Sequence, residues 1–120
     1  MRARSFFILL TLLLVVPLQL LANESPATDI PYGDNPAAGH YAEVNGIKMY
    51  YEIYGSGKPM LLIHGNGQDI AVMQPQIEYF ERDYKVIVTD SRGHGKSGVG
   101  TDHLTYVQMM EDYNALLEHL

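Results

Sequence analysis

Two short apolar runs constrain this chain more than anything else in it. Met60-Leu61-Leu62-Ile63 and Val86-Ile87-Val88 are continuous rather than alternating. Such a run suits a strand covered on both faces, whereas a strand with one wet face alternates. Between the two runs Met73, Ile77 and Phe80 recur at helical spacing, with Pro75 tolerable only in a first helical turn. Strand, helix and strand within about thirty residues predict a βαβ unit, and so a parallel sheet with a right-handed crossover.

The flanks extend this pattern. His40 to Val44 reads as a short strand, and Asn45-Gly46 is a strong signal for a two-residue hairpin turn. Ile47 to Tyr54 then alternates, with Ile47, Met49, Tyr51 and Ile53 on one side and Lys48, Tyr50, Glu52 and Tyr54 on the other. That pattern predicts a half-buried antiparallel strand. Gly55 to Pro59 reads as a turn. Near the end, Thr105-x-x-Gln108 forms a capping box, with Leu104 and Met109 placed as its hydrophobic staple. Val107, Met110, Tyr113, Leu117 and Leu120 are the expected buried face of the helix that follows, which carries no Gly or Pro stop signal before Leu120. The expected fold class is α/β: an antiparallel hairpin, a parallel βαβ unit and a C-terminal helix.

The first 22 residues have a different texture. Arg2 and Arg4 precede an apolar stretch from Phe6 to Val16, broken only by Thr11, and Pro17 and Leu20-Leu21-Ala22 supply an exit. This is the layout of a secretory signal peptide over 1–22. The competing reading is a retained membrane anchor, although spanning needs about 20 apolar residues and Pro17 and Gln19 interrupt these. Export, to periplasm or outside the cell, is the expected destination. Residues 23–39, with Pro26, Pro31 and Pro36 and no periodicity, read as a flexible tether to a domain over 40–120.

Charge and cysteine content exclude several functions. Of 8 Lys and Arg, removal of Arg2 and Arg4 leaves 6 against 14 Asp and Glu, a net charge of −8. Phosphate backbones demand clustered Lys and Arg, so no nucleic-acid partner is expected. Without cysteine there is no disulfide framework, thiolate metal site or Cys nucleophile.

Two loops carry the chemistry-bearing residues. His64-Gly65-Asn66-Gly67 follows the first buried strand, and its glycines allow a sharp turn that aims backbone N–H groups over the strand end. Ligands favour that edge in open α/β sheets, although a strand-to-helix turn also needs glycine for geometry alone. Asp90-Ser91-Arg92-Gly93-His94-Gly95-Lys96-Ser97 follows the second buried strand. Its glycines make a tight loop in which Asp90 and Arg92 can pair or cap and Ser97 can bond nearby backbone. Gly95-Lys96-Ser97 lacks the earlier glycine of a phosphate loop, and Ser97 misses the G-x-S-x-G pattern because Val99 stands at its end. His64, Asp90 and His94 have no compact metal-ligand spacing. Ser97, Asp102 and His103 lie too close along one loop to act as a triad. His40, His103 and His119 read as surface residues.

In this order the motifs resemble the N-terminal half of the α/β-hydrolase superfamily. The resemblance rests on the Asn45-Gly46 hairpin, the strand ending in His64-Gly65-Asn66-Gly67, the Asp90–Ser97 loop after the next strand, and the capped helix from Thr105. It implies a backbone oxyanion hole centred on Asn66 and framed by Gly65 and Gly67, with His64 a structural member of its motif. It also implies a supporting role for the loop with Asp90, Arg92, Gly93, Gly95 and Ser97, and it implies no cofactor. The family's nucleophile, acid and base come later than the segment matched here, so no catalytic side chain is assigned.

The expectation is therefore an exported hydrolase of esters, amides or related bonds on a small-molecule substrate, represented up to a point before its nucleophile. A non-catalytic secreted binding module is the alternative. In either case the missing neighbour leaves the Met60–His64 strand as an open edge, through which a homodimer can form. Membrane association is expected only if residues 1–22 are retained.

Overall fold

The computed structural model describes residues 29–101 and 103–120. The expected signal segment and the first part of the expected tether lie outside the described residues. Strand β1 (Gly39–Val44) turns through Asn45 and Gly46 into β2 (Ile47–Tyr54), and β3 (Lys58–Ile63) follows. A short 3-10 turn at Ile70–Met73 leads into α1 (Gln74–Phe80), then β4 (Tyr84–Thr89) and α2 (Tyr106–His119). The four strands form one sheet in the order β1-β2-β4-β3.

The hairpin forms because both turn residues accept positive φ, 42° at Asn45 and 76° at Gly46. That geometry matches the twist of the flanking strands and fixes Val44 opposite Ile47. β2 is antiparallel to β4, and β3 is parallel to β4, with Ile63 opposite Thr89. Because α1 carries the crossover, both apolar runs end at the same edge of the sheet. The loops after β3 and β4 therefore emerge side by side.

Both faces of the sheet are covered at β4, which explains its continuous texture. β3, expected to be covered likewise, stays half-buried with Ile63 exposed because it lies at the sheet edge. Val86 and Val88 pack with Tyr50, Tyr54, Ile70 and Ile77, while Ile87 packs with Met49, Tyr51 and Leu116 on the α2 side. β2 differs from the half-buried strand its alternation predicts, since Tyr50, Glu52 and Tyr54 are buried as well as the opposite face. The reason lies in the expected tether. Tyr32 and Ala38 join the core, and Glu52, with no exposed surface, draws the segment down. Its Oε1 accepts from Asn35 N and Tyr50 Oη, and its Oε2 from Gly33 N and Tyr54 Oη. Over residues 29–38 the chain is thus a docked strap. Four donors satisfy a buried carboxylate that no alternation rule would place inside. Burial, and then the bonds to Glu52, push both tyrosine hydroxyls well above their ordinary pKa.

Helix α2 also departs from expectation. Thr105 Oγ1 accepts from Gln108 N, as a capping box requires, but the Gln108 side chain donates to Asp112 Oδ1. The buried positions are Asp112 and Leu116, whereas Val107, Met110, Leu117 and Leu120 are exposed and Tyr113 is half-buried. An apolar stripe at helical spacing identifies a face without naming its neighbour. Here polar anchoring of Asp112 rotates most of that stripe away from the sheet centre, toward the β3 edge.

Candidate active site

A cleft of about 890 Å³ opens where the two loops meet α2. Leu61 and Ile63 of β3 and Met109, Met110, Tyr113 and Leu117 of α2 form its apolar walls, and His64, Asn66, Ser91 and His94 supply polar groups. Glycine-driven turning puts the 64–67 loop at this mouth, and the register of β3 with β4 puts Ser91 beside it.

The backbone amides of the first loop are partly committed. Gly65 N donates to Gln68 Oε1 at 2.9 Å, and Gly67 N donates to His94 Nε2 at 3.2 Å. Gln68 N returns to Gly65 O at 3.2 Å. Among the described residues, Asn66 N–H has no partner, and Asn66 is exposed at the cleft. His64 is buried beneath the loop, with 7% of its surface exposed, and its Nε2 accepts from Ser91 N at 3.0 Å.

The second loop is held by buried polar contacts. Asp90 does not pair with Arg92, as the sequence allowed, but caps backbone. Its Oδ1 accepts from Ile70 N and its Oδ2 from Lys96 N. Burial pushes the Asp90 carboxyl above its ordinary pKa, and these two N–H bonds offset only part of that shift. A Cβ at Gly95, where φ is +47°, would come within 2.1 Å of Asp90 Oδ2, so only glycine fits there. Ser97 Oγ donates to Asp90 O and accepts from Tyr50 N, which makes Ser97 a stitch between loop and β2. Gly93 has φ +76° in the same turn, and its N–H bonds Gly98 O.

Arg92 finds its partner on α2. Its Nε and Nη2 reach Asp112 Oδ2 and Oδ1 at 2.7 and 2.9 Å, in a pair whose side chains are fully buried. Nη2 also donates to Asn45 O, and Asn45 Nδ2 donates to Asp112, so one ion pair ties loop, hairpin and helix together. Burial alone would raise the Asp112 carboxyl, but hydrogen bonds from Arg92, Asn45 and Gln108 outweigh it and hold the group below its ordinary pKa. Asp112 is the structural residue that sequence reading missed. Its only signal in the sequence was an acid one turn after Gln108 and one turn before Leu116, on a face that the apolar stripe did not single out. Among the described residues, no group of three His, Cys, Asp or Glu side chains is arranged to hold a metal ion.

A family model for the alpha/beta hydrolase fold matches residues 58–120, just over half of the chain. The chain belongs to the alpha/beta hydrolase fold family. A hydrolase of (E)-2-((N-methylformamido)methylene)succinate from Acinetobacter baylyi is 45% identical over 53 residues, covering 44% of this chain and 20% of the relative. The 3-oxoadipate enol-lactonase 2 of the same organism is 36% identical over 76 residues, 62% of this chain and 28% of the relative. Among solved structures, an epoxide hydrolase without ligand superposes with a TM-score of 0.65 at 32% identity, over 68% of this chain and 29% of that one. The enol-lactonase of Burkholderia xenovorans gives 0.61 at 29% identity, over 66% and 32%. The chain thus spans about a fifth to a third of the length of these relatives. The reactions these relatives are named for differ, so what they share with this chain is a scaffold, which by itself does not fix the chemistry. The partial set of elements here has no G-x-S-x-G sequence and no assignable nucleophile, acid or base.

Proposed function

We propose that this chain supplies the oxyanion-binding part of an exported hydrolase that attacks a carbonyl-type bond of a small organic substrate. One observation carries the reading: of the loop amides at the cleft, Asn66 N–H alone among residues 65–67 is left without a partner while Gly65 N and Gly67 N are tied to side chains. A free, fixed donor beside an apolar wall is what a developing oxyanion needs, and each such donor contributes about 3–4 kcal/mol to the transition state. Gly65 and Gly67 then frame the donor, and His64, Asp90, Arg92, Gly93, Gly95 and Ser97 brace it. The relatives named as a hydrolase of (E)-2-((N-methylformamido)methylene)succinate and as an enol-lactonase support hydrolysis of a small organic substrate, the lactone being a carbonyl ester. The epoxide hydrolase supports a small substrate alone. Export rests on the Arg2–Ala22 pattern, and no cofactor enters the scheme.

The nucleophile and base of that reaction are not identifiable among these 120 residues, and loss of both abolishes the chemical step. Reading the DNA past codon 120 and assaying the extended chain beside residues 1–120 on p-nitrophenyl acetate tests the proposal. Turnover by the extended chain alone supports it. Turnover by residues 1–120, or the absence of an apolar strand and G-x-S-x-G within about 30 codons in any frame, overturns it.

A second reading is favoured by the β3 edge, which pairs with β4 alone among the described residues and leaves Ile63 45% exposed. In it the chain is a binding module whose second copy covers Met60–His64, edge to edge. Sedimentation of residues 23–120 separates the readings: a concentration-dependent dimer supports this one, and a monomer at all concentrations removes it.

A further inference from the structure

We propose that His64 and His94 form a reciprocal clasp that fixes the direction of the Asn66 N–H, which makes His94 a positioning residue for that donor. The inference deepens the oxyanion reading above and rests on it for its functional meaning.

The tautomers follow from donors that cannot reverse. Ser91 N–H donates to His64 Nε2, so that nitrogen is bare and the proton sits on Nδ1, which donates to Gly65 O at 2.8 Å. Gly67 N–H donates to His94 Nε2, so His94 likewise carries its proton on Nδ1, which donates to Arg92 O at 3.0 Å. Each loop thus sends one histidine to accept a backbone N–H of the other. The two rings lie against each other, with centroids 5.2 Å apart. Asn66 Oδ1, 3.3 Å from His94 Nε2, faces a bare acceptor and makes no bond to it in this tautomer.

Planarity turns these bonds into an orientation. In a trans peptide the carbonyl and the following N–H point in opposite directions. Gly65 O is drawn to His64 Nδ1 and Gln68 N, so Asn66 N–H, on the same plane, must point the other way. The next plane, between Asn66 and Gly67, is held by His94 through Gly67 N, at a glycine with φ +72° and nothing within 4 Å of its Cβ position. With both planes set, Asn66 N–H has one direction available.

Imidazole 15N and amide 1H–15N spectra of residues 1–120 test this, with His94→Ala and His94→Gln as variants and sodium acetate as the anion probe. In the unsubstituted chain both histidines should show a bare Nε2 and a protonated Nδ1. His94→Ala should lower exchange protection at Gly67 by about tenfold, as loss of one hydrogen bond does, shift the Asn66 amide and leave Ser91 protected. It should also weaken the acetate-induced shift at Asn66, and the Gln variant, whose Oε1 can accept, should restore both effects. A proton found on His94 Nε2, or a change at Gly67 of less than about twofold in the Ala variant, overturns the clasp whether or not any variant folds well. Failure of acetate to move Asn66 in the unsubstituted chain, with the clasp signatures intact, instead defeats the oxyanion reading alone.

Discussion

The two flanks of this sheet are finished differently. On the β1–β2 side, hairpin, strap, second loop and α2 meet in a closed network: Glu52 holds four donors, Asp90 two backbone N–H groups, and Arg92 and Asp112 each other. On the β3 side the strand edge is unpaired among the described residues, and Ile63, Tyr106, Met110 and Leu117 show apolar surface. The first flank is specified by buried polar groups that accept only one geometry. The second offers apolar area, which is non-directional and adapts to whatever covers it. Rigid support thus lies behind the loops, and the adaptable apolar wall lies along the cleft.

Substitutions can break that contrast, beginning with the ion pair. Asp112→Ala leaves a buried guanidinium uncompensated, and urea denaturation should show a loss of about 3–5 kcal/mol. Acid acts on the same group. Because the Asp112 pKa is lowered on folding, its contribution is present above about pH 4 and disappears as pH falls through the depressed value. The raised pKa of Asp90 has the opposite sign: its buried charge disfavours folding at higher pH. That cost is relieved as pH falls through its raised value toward about 4, above the range in which Asp112 acts. An Asp112→Asn variant should therefore lose the acid-dependent fall of the melting midpoint below about pH 4; an unchanged slope would assign that fall elsewhere.

Glu52→Gln comes next. Its amide nitrogen cannot accept from backbone, so either Gly33 N or Asn35 N is orphaned, at a cost of about 1–3 kcal/mol. Hydrogen exchange should locate the loss in residues 29–38 before it appears in the sheet. Thr105→Ala removes the α2 cap and should cost about 1 kcal/mol, read as fraying of the first helical turn. On the open flank, Tyr106→Ser, at a position 89% exposed, should change stability by less than about 0.5 kcal/mol. A larger loss there would mean that the apolar flank is covered in solution, and the contrast between the flanks would fail.

Much of the fold was legible because local rules and tertiary outcome agreed. The Asn45-Gly46 turn, the strand periods of the two apolar runs and the Thr105 cap each depend on residues near one another in sequence. Only the Val86–Val88 run, however, is covered on both faces, and Met60–Ile63 stays half-buried with Ile63 exposed. Where reading fell short, long-range polar contacts decided. Glu52 stood on the expected wet side of β2 until the strap supplied its donors, and Asp112 drew no reading until Arg92, twenty residues away, met it. The site was legible as a loop motif, and the family resemblance pointed to Asn66 between Gly65 and Gly67, but the residues by themselves did not say what would occupy the neighbouring amides. The occupants are Gln68 and His94, which take two of the three amides.

By itself the sequence determined the strand and turn periodicities, the α/β class and the glycine loops at one sheet edge, because backbone preference and apolar spacing act locally. Only the tertiary structure decided which face of α2 is buried, what satisfies the carboxylates inside and which amide stays free. Those outcomes depend on partners brought close by folding, and a buried polar group is stable only where its partner arrives.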